Sequence, residues 1–116
     1  MKILFVTPQL PWPPTQGTTL RNYHLIRSAA TAHQVDMLSF GPSASVPAPL
    51  ATLCRQVFTV PFPVRTTMDR VRDLAMGRAD MERRLWSPDF ETLLLRLLHE
   101  GAYDVVQLEG FEVAGY

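Results

Sequence analysis

The fold is decided by a short stretch at the start of the chain, KILFVT at residues 2–7. It is a nearly continuous apolar run rich in strand-forming residues, and Pro8 follows it as a turn signal. An unbroken apolar run of this length predicts a strand that is buried on both faces, as in parallel sheets covered by helices.

Strand and helix patterns alternate along the rest of the chain, with loops between them. The predicted strands are Lys2–Thr7, Gln34–Phe40, Val57–Pro61 and Tyr103–Leu108. The predicted helices are Leu20–Ala32, Leu50–Arg55, Met68–Met76, one that begins after Ser87 and ends at Gly101, and one opened by Gly110. Strands separated by helices pair in parallel through right-handed crossovers.

Two helices carry residue patterns that predict their ends and buried faces. For the first, Thr18 or Thr19 is the predicted N-cap, and its buried stripe is predicted to contain Leu20, Tyr23, Ile26 and Ala30. For the last long helix, Ser87 precedes Pro88, the residue favoured at the first helical position. Its apolar positions recur at helical spacing and comprise Phe90, Leu93, Leu94, Leu97 and Leu98.

The whole pattern predicts an α/β, Rossmann-like doubly wound parallel sheet with strand order 3-2-1-4. Residues 1–116 reach barely one turn beyond the fourth strand. We therefore expect a truncated or partial domain. We also expect the exposed edge at Val105 and Val106 to favour dimerisation of such a fragment.

Composition narrows the classes of function. Eleven basic residues balance eleven acidic ones, which disfavours nucleic acid as a partner because nucleic-acid binders carry a basic excess. The single cysteine, Cys54, excludes an internal disulfide framework and favours a half-buried structural thiol in the cytoplasm. No signal peptide, membrane-spanning stretch or metal-ligand spacing is apparent, so we predict no metal and no cofactor.

Topology predicts where a ligand would bind. In open parallel sheets this is outside the carboxyl ends of the strands, which the segments 8–19 and 109–112 both reach. Gly17 lies just before a predicted helix N-terminus, where unpaired N–H groups favour a phosphate, although Gly17 can equally be a turn residue. Neither a dinucleotide fingerprint nor a P-loop is present, which disfavours nicotinamide dehydrogenases and P-loop NTPases.

Two blocks of sequence share a further pattern. The first comprises MKILFVTP at 1–8, Pro13-Pro14, Gly17, Arg21, Tyr23, Leu25, Arg27, His33, Val35 and Leu38-Ser39-Phe40; the second is YDVVQLEG at 103–110. Together they resemble the start and the fourth-strand motif of the glycosyltransferase family 4 (group 1) enzymes. The resemblance is weak between Ser43 and Ser87.

The resemblance implies the GT-B architecture, in which two Rossmann-like domains face each other across a cleft. Residues 1–116 would form part of the N-terminal, acceptor-side domain, and the donor-binding domain would be absent. The resemblance implies transfer of a sugar from a nucleotide-sugar to a hydroxyl acceptor, mostly with retention and without a metal. It further implies that this piece alone is inactive.

The resemblance also assigns roles to individual residues. Gly17, Thr18 and Arg21 would contact the donor phosphates or sugar, although the family often has a glycine pair where this chain has Gly17 and Thr18. Tyr23 and Gly110 would contact the acceptor.

Glu109 stands where many members of the family have a histidine. It can act as a base or orient the acceptor hydroxyl, or it can be a structural carboxylate that caps the next helix. Arg21 can bind a phosphate or an acidic sugar through its guanidinium, or it can be a solvated surface residue.

The segment 65–86 interleaves arginines with apolar residues and has two interpretations. It can be a peripheral membrane face at the cytoplasmic side, as basic amphipathic helices are. The interpretation we favour is a pair of surface helices that pack their Met and Leu residues inward. In that interpretation the acidic residues Asp69, Asp73, Asp80 and Glu82 pair with the arginines, Arg78 among them.

Two further functions remain as alternatives to the transferase. One is a non-catalytic, flavodoxin-like α/β module that binds a phosphorylated ligand or a partner protein and needs no second domain. The other is a fragment that serves only in interaction.

Overall fold

The computed structural model describes residues 1–43, 45–77 and 83–116. In chain order the elements are β1 (Lys2–Thr7), α1 (Gly17–Ala30), β2 (Gln34–Phe40), α2 (Ala48–Leu53), β3 (Gln56–Val60), α3 (Thr67–Ala75), α4 (Pro88–Glu100), β4 (Val105–Leu108) and a 3₁₀ turn (Phe111–Val113). Arg78, Asp80 and Glu82, which entered the interpretation of segment 65–86, lie outside the described residues.

The four strands form one all-parallel sheet in the order β3-β2-β1-β4, with helices on both faces. The predicted α/β, Rossmann-like class and strand order are confirmed. Ile3 aligns with Val35 on one side and with Val105 on the other, so β1 lies inside the sheet. This explains why residues 3–7 are all buried.

Two apolar clusters cover the faces of the sheet. On one face α4 packs Phe90, Leu94 and Leu97 against side chains of β1, β2 and β3. On the other face Ile26 of α1 and Leu50 of α2 pack against β1 and β2, together with Cys54. Cys54 is therefore buried rather than half-buried.

The start of α1 differs from the prediction. The helix begins at Gly17, three residues early, and Gln16 rather than Thr18 or Thr19 is the N-cap. The backbone N–H of Gln16 donates to Thr19 Oγ1 at 3.1 Å, and this hydroxyl donates to the Gln16 carbonyl at 3.0 Å. Thr19 therefore acts as the partner of the cap, one turn inside the helix.

The buried face of α1 was also partly mispredicted. Its buried residues are Thr19, Asn22 and Ile26, whereas Leu20 is exposed. Thr19 faces inward and bonds to Gln16, and Leu20, about 100° further round the helix, faces solvent. The prediction chose the apolar stripe and did not anticipate that α1 would bury an amide.

The other helix and strand bounds shift by small amounts. α2 begins and ends two residues before the prediction, and β3 and α3 are each displaced by one residue. β4 begins at Val105 rather than Tyr103. Just before it, the Tyr103 hydroxyl donates to Asp36 Oδ2 at 2.8 Å, and the Asp104 carboxylate accepts from the Lys2 backbone N–H. α4 has the predicted cap, since Ser87 Oγ accepts from the Phe90 backbone N–H.

β4 pairs with β1 and is the last strand of the described sheet on that side. Val105, Val106 and Leu108 are exposed on it. This matches the predicted exposed edge, and dimerisation through it remains a prediction.

Candidate functional site: a cleft at the carboxyl ends of the strands

A cleft of about 630 Å³ opens where the strands end and α1 begins. It lies at the place that the topology predicts for a ligand. Its lining residues are Pro8, Gln9, Thr18, Arg21, Asn22, Phe62, Pro63, Arg65, Arg70, Arg84, Leu85, Glu109, Gly110 and Glu112.

The N-terminal half of α1 forms one wall of this cleft. Because residues four apart share a helix face, Thr18 and Asn22 point the same way, and Arg21 lies beside them. Next to this wall, at the end of β1, the buried Thr7 hydroxyl donates to the Gln9 carbonyl at 3.0 Å.

Glu109 follows β4 and faces α1 across the cleft. Its backbone N–H donates to the Val6 carbonyl at 2.9 Å, so Glu109 is anchored to the end of β1. Its carboxylate is only 4% exposed. Gln107 Nε2 donates to Oε1 at 2.7 Å, and Arg21 Nη2 lies 3.4 Å from Oε2.

The structure does not support the capping role that the sequence left open for Glu109. The 3₁₀ turn that follows begins after Gly110 and has no side-chain cap. Glu109 is therefore not a helix cap, and its carboxylate is directed to Gln107 and Arg21 in the cleft. Burial of a charged carboxylate lowers the stability of the fold unless hydrogen-bond donors or cations offset the lost hydration, and Gln107 and Arg21 do so here.

Gly110 forms the floor of the cleft beside Pro8. Its φ is +112°, a conformation that side-chain-bearing residues rarely adopt. A Cβ at this position would lie 3.0 Å from Glu112 Oε2 and 3.2 Å from Pro8 Cγ. Glycine is thus required here for the backbone to turn away from β4 and leave the cleft open.

The far wall of the cleft is rich in arginine. Arg65 Nη2 lies 2.8 Å from Asp73 Oδ2, and Arg84 Nη2 donates to Glu112 Oε1 at 2.8 Å. Arg70 lines the same wall, and none of the described residues forms an ion pair with it. Four arginines against two glutamates make the lining of the cleft net basic.

The structure brings four of the predicted site residues together and separates two others. Thr18, Arg21, Glu109 and Gly110 line the cleft. Gly17 is the exposed first residue of α1 and does not line it, and no atom lies within 4 Å of where its Cβ would be.

Tyr23 also lies away from the cleft. It packs on the cluster beneath α1, with its ring centroid 5.4 Å from that of Trp12. The acceptor contact predicted for Tyr23 therefore has no support from its position.

Sequence reasoning missed Asn22. It is 2% exposed and lines the cleft, and its side-chain amide hydrogen-bonds no described residue. The signal was available in its spacing, one residue after Arg21 and four after Thr18. Its amide atoms are not among the fully buried, unpaired polar atoms of the described residues, so they stay accessible from the cleft and available to a polar ligand.

Segment 65–86 is arranged differently from the interpretation we favoured. Asp73 does pair with arginines, Arg65 at 2.8 Å and Arg83 at 4.0 Å. Met68 and Leu74, however, are exposed and do not pack inward. The paired Asp73 takes the buried position, so the apolar side of α3 must face solvent.

Metal and membrane features were searched among the described residues. Within residues 1–43, 45–77 and 83–116, no three His, Cys, Asp or Glu side chains come together to hold a metal ion. None of the helices in these ranges is long and apolar enough to cross a bilayer.

Comparison of the chain with protein-family models, with curated proteins and with solved structures finds no match.

Proposed function

We propose that this chain is the acceptor-binding part of a cytoplasmic glycosyltransferase that moves a sugar from a nucleotide-sugar to a hydroxyl. The observation that carries the proposal is Glu109, a nearly buried carboxylate at the edge of an open cleft. The resemblance of residues 1–40 and 103–110 to glycosyltransferase family 4 supports it from the sequence.

The chemistry requires a group that handles the acceptor hydroxyl. The acceptor oxygen bonds to the anomeric carbon, the bond from that carbon to the nucleoside diphosphate breaks, and the hydroxyl gives up its proton. In the proposal Glu109 orients the hydroxyl by accepting its hydrogen bond and is placed to take this proton. Gln107 and Arg21 hold the carboxylate in position.

Asn22 supplies a second contact to the acceptor. An amide offers both a donor and an acceptor, whereas an ionised carboxylate only accepts. A ligand hydroxyl, which can donate and accept at once, is complementary to both Asn22 and Glu109. A phosphate in the same place would set its hydrogen-bond-accepting oxygens against those of Glu109, so we place phosphates nearer the arginines.

The donor would lie toward Thr18 and Arg21. Arg21 pairs with Glu109 while its side chain remains 70% exposed, so it can also reach a phosphate of the donor. The nucleotide itself would be held by a second domain outside residues 1–116.

Calorimetric titration tests this division of the two substrates. Nucleoside diphosphates and their sugars are titrated into the product of the whole reading frame, with residues 1–116 in parallel. The proposal predicts binding to the former and none to the latter. Comparable binding to residues 1–116 alone contradicts it.

A variant pair tests the role of Glu109 in the same product. Glu109→Gln keeps the shape and removes the charge, and we expect transfer to fall by about 10²–10⁴. Glu100→Gln, at the exposed end of α4, is the matched control and should retain full activity. Equal activity of the two variants excludes a chemical role for Glu109.

A second candidate is the non-catalytic module that binds a phosphorylated ligand. The arginines of the far wall favour it, and Arg70 in particular has no ion-pair partner among the described residues. It predicts that residues 1–116 bind a nucleoside diphosphate or inorganic phosphate without any second domain. Arg70→Gln should then weaken this binding, and the same titration distinguishes the two candidates.

A further inference from the structure

Helix α3 buries its acidic side and exposes its apolar side. Asp73 is 5% exposed, whereas Met68, Val71 and Leu74 are 75%, 56% and 79% exposed. In an ordinary surface helix the apolar stripe faces the core.

The inversion has a local cause. Thr66 caps the helix by accepting from the Asp69 backbone, and the Asp69 carboxylate in turn accepts from the Thr66 backbone N–H at 3.0 Å. These bonds lower the pKa of Asp69. One turn later Asp73 faces inward, where Arg65 and Arg83 compensate its charge. Once Asp73 is fixed there, the opposite side of α3 has to point outward.

The exposed side is a compact apolar arc flanked by cations. At about 100° per residue, Leu74, Val71, Ala75 and Met68 fall within about 120° of the helix circumference. Arg70 lies about 40° beyond Leu74 and Arg72 about 40° beyond Met68. Asp69 and Asp73 lie on the opposite side of the helix.

Apolar exposure continues on both sides of α3 along the chain. Phe62 and Val64 precede the helix and Met76 follows it, and all three are exposed. Single exposed apolar residues need no explanation, but a concentration of them in one segment marks an interaction surface. On α4, by contrast, the apolar stripe is buried and only Leu95 and Leu98 of its leucines are exposed.

We propose that the apolar arc of α3 docks on an anionic lipid surface. Charge selects this occupant. Asp73 is buried, and the arc is flanked by Arg70 and by Arg72, whose exposed guanidinium lies 4.0 Å from the Asp69 carboxylate. Both arginines can reach lipid phosphates while Met68, Val71 and Leu74 enter the acyl boundary.

A second copy of the chain fits the arc less well. In a two-fold pair of α3 helices, each arginine flank would face an arginine flank of the other copy, and like charges there oppose association. Because Arg70 also lines the cleft, docking on lipid would hold the cleft beside the membrane surface. The inference does not depend on the chemistry proposed for the cleft.

Vesicle sedimentation tests the proposal on residues 1–116. The vesicles are phosphatidylglycerol mixed with phosphatidylcholine, or phosphatidylcholine alone. We expect binding to the anionic vesicles, weakening with added salt, and little binding to the neutral ones. Absence of binding to both, or equal binding to both, overturns the proposal.

Two double variants and a control locate the surface. Arg70→Gln with Arg72→Gln should weaken partitioning by about 30-fold, since each cation near an anionic surface contributes about 1 kcal/mol. Met68→Asp with Leu74→Asp should abolish it. Leu95→Asp, on a leucine of α4 that is 56% exposed, should leave it unchanged.

The same variants also test whether another occupant covers the apolar arc. If both double variants bind vesicles like the wild type, α3 is not the lipid-binding surface. Sedimentation equilibrium of the wild type provides a separate check. A dimer that Met68→Asp with Leu74→Asp dissociates would identify a second copy as the occupant and contradict the proposal.

Discussion

The sheet buries a carboxylate toward each end, and the two carboxylates differ in what surrounds them. Toward the amino end, Asp36 is fully buried, Arg55 binds both of its oxygens and the Tyr103 hydroxyl donates to Oδ2 at 2.8 Å. At the carboxyl end, Glu109 has one hydrogen bond from Gln107 and a longer contact of 3.4 Å with Arg21. The first group is saturated by the protein, and the second retains bonding capacity that faces a cleft.

This difference separates structural from functional burial of charge. Arg55 and Tyr103 come from the segments just before β3 and β4, so Asp36 links β2 to the segments that lead into both of these strands. Its hydrogen bonds and its negative charge raise the pKa of Arg55. Among the described residues, the Glu109 carboxylate contacts Gln107, two residues before it, and the long, exposed side chain of Arg21 on α1. We therefore expect substitutions at the amino end to change stability and substitutions of cleft side chains to change binding.

The largest effect on stability should follow from Asp36→Ala. It removes the acceptor of Arg55 and Tyr103 from a fully buried position, and we expect the free energy of unfolding to fall by about 3 kcal/mol. That is the low end for a broken buried pair, because Arg55 is half-exposed and can be hydrated. Urea unfolding measures it.

Asp104→Ala is the control for this prediction. Asp104 also joins two strands, by accepting from the Lys2 backbone N–H at 2.7 Å, but it does so at an exposed site. We expect a loss of about 1 kcal/mol or less. Equal losses of unfolding free energy for Asp36→Ala and Asp104→Ala would show that burial does not determine how much Asp36 contributes to stability.

The next largest effect tests the backbone of the cleft. Gly110→Ala places a side chain at φ +112° and against Pro8, so the free energy of unfolding should fall by about 1–3 kcal/mol. Gly17→Ala meets no neighbour within 4 Å and lies at a helical position, so it should leave stability unchanged or raise it by up to about 1 kcal/mol. Thermal unfolding of the two variants gives the comparison, and a stable Gly110→Ala would contradict it.

The fold was predictable where one local pattern dominates. β1 and β2 have the predicted bounds because β1 is an apolar run followed by Pro8 and β2 stops at Gly41-Pro42, and α4 has a cap and a regular apolar period. The start of α1 was not predictable from standard caps, because the residue types of the capping box are exchanged. Gln16 is the N-cap, and Thr19, three residues later, accepts from its backbone N–H. For α3 the period locates the faces, but only the distant Arg83 and the nearby Arg65 decide which face is buried.

The candidate site divides in the same way. The resemblance named Thr18, Arg21, Glu109 and Gly110, and topology placed the segments 8–19 and 109–112 at the same edge of the sheet. Asn22 and Arg84 depend on the rotation of α1 and on the approach of the segment before α4, which are set by tertiary packing. The spacing of Asn22 from Thr18 places both on one face of α1 but does not show that this face lines the cleft, and no sequence pattern points to Arg84.

The smallest effect we predict concerns Tyr103 at alkaline pH. Burial, and then the hydrogen bond to Asp36 and its charge, raise the pKa of Tyr103 to about 12 from the ordinary 10.0. The folded chain keeps this proton while the unfolded chain loses it, so the stabilisation is complete below pH 10.0 and is lost as the pH rises to about 12.

Tyr103→Phe isolates this contribution. The variant lacks the hydroxyl and its hydrogen bond to Asp36, so it should be less stable than the wild type near neutral pH. The difference in free energy of unfolding should shrink as the pH rises from 10.0 toward about 12. Over this range the wild type loses stability because its unfolded chain releases the Tyr103 proton, and the variant has no such proton. Cys54, whose pKa burial raises to about 11, titrates in both proteins and cancels in the comparison. A difference in urea unfolding that stays constant over this range would mean that the hydroxyl is not buried against Asp36. The amino end would then be as incompletely satisfied as the cleft.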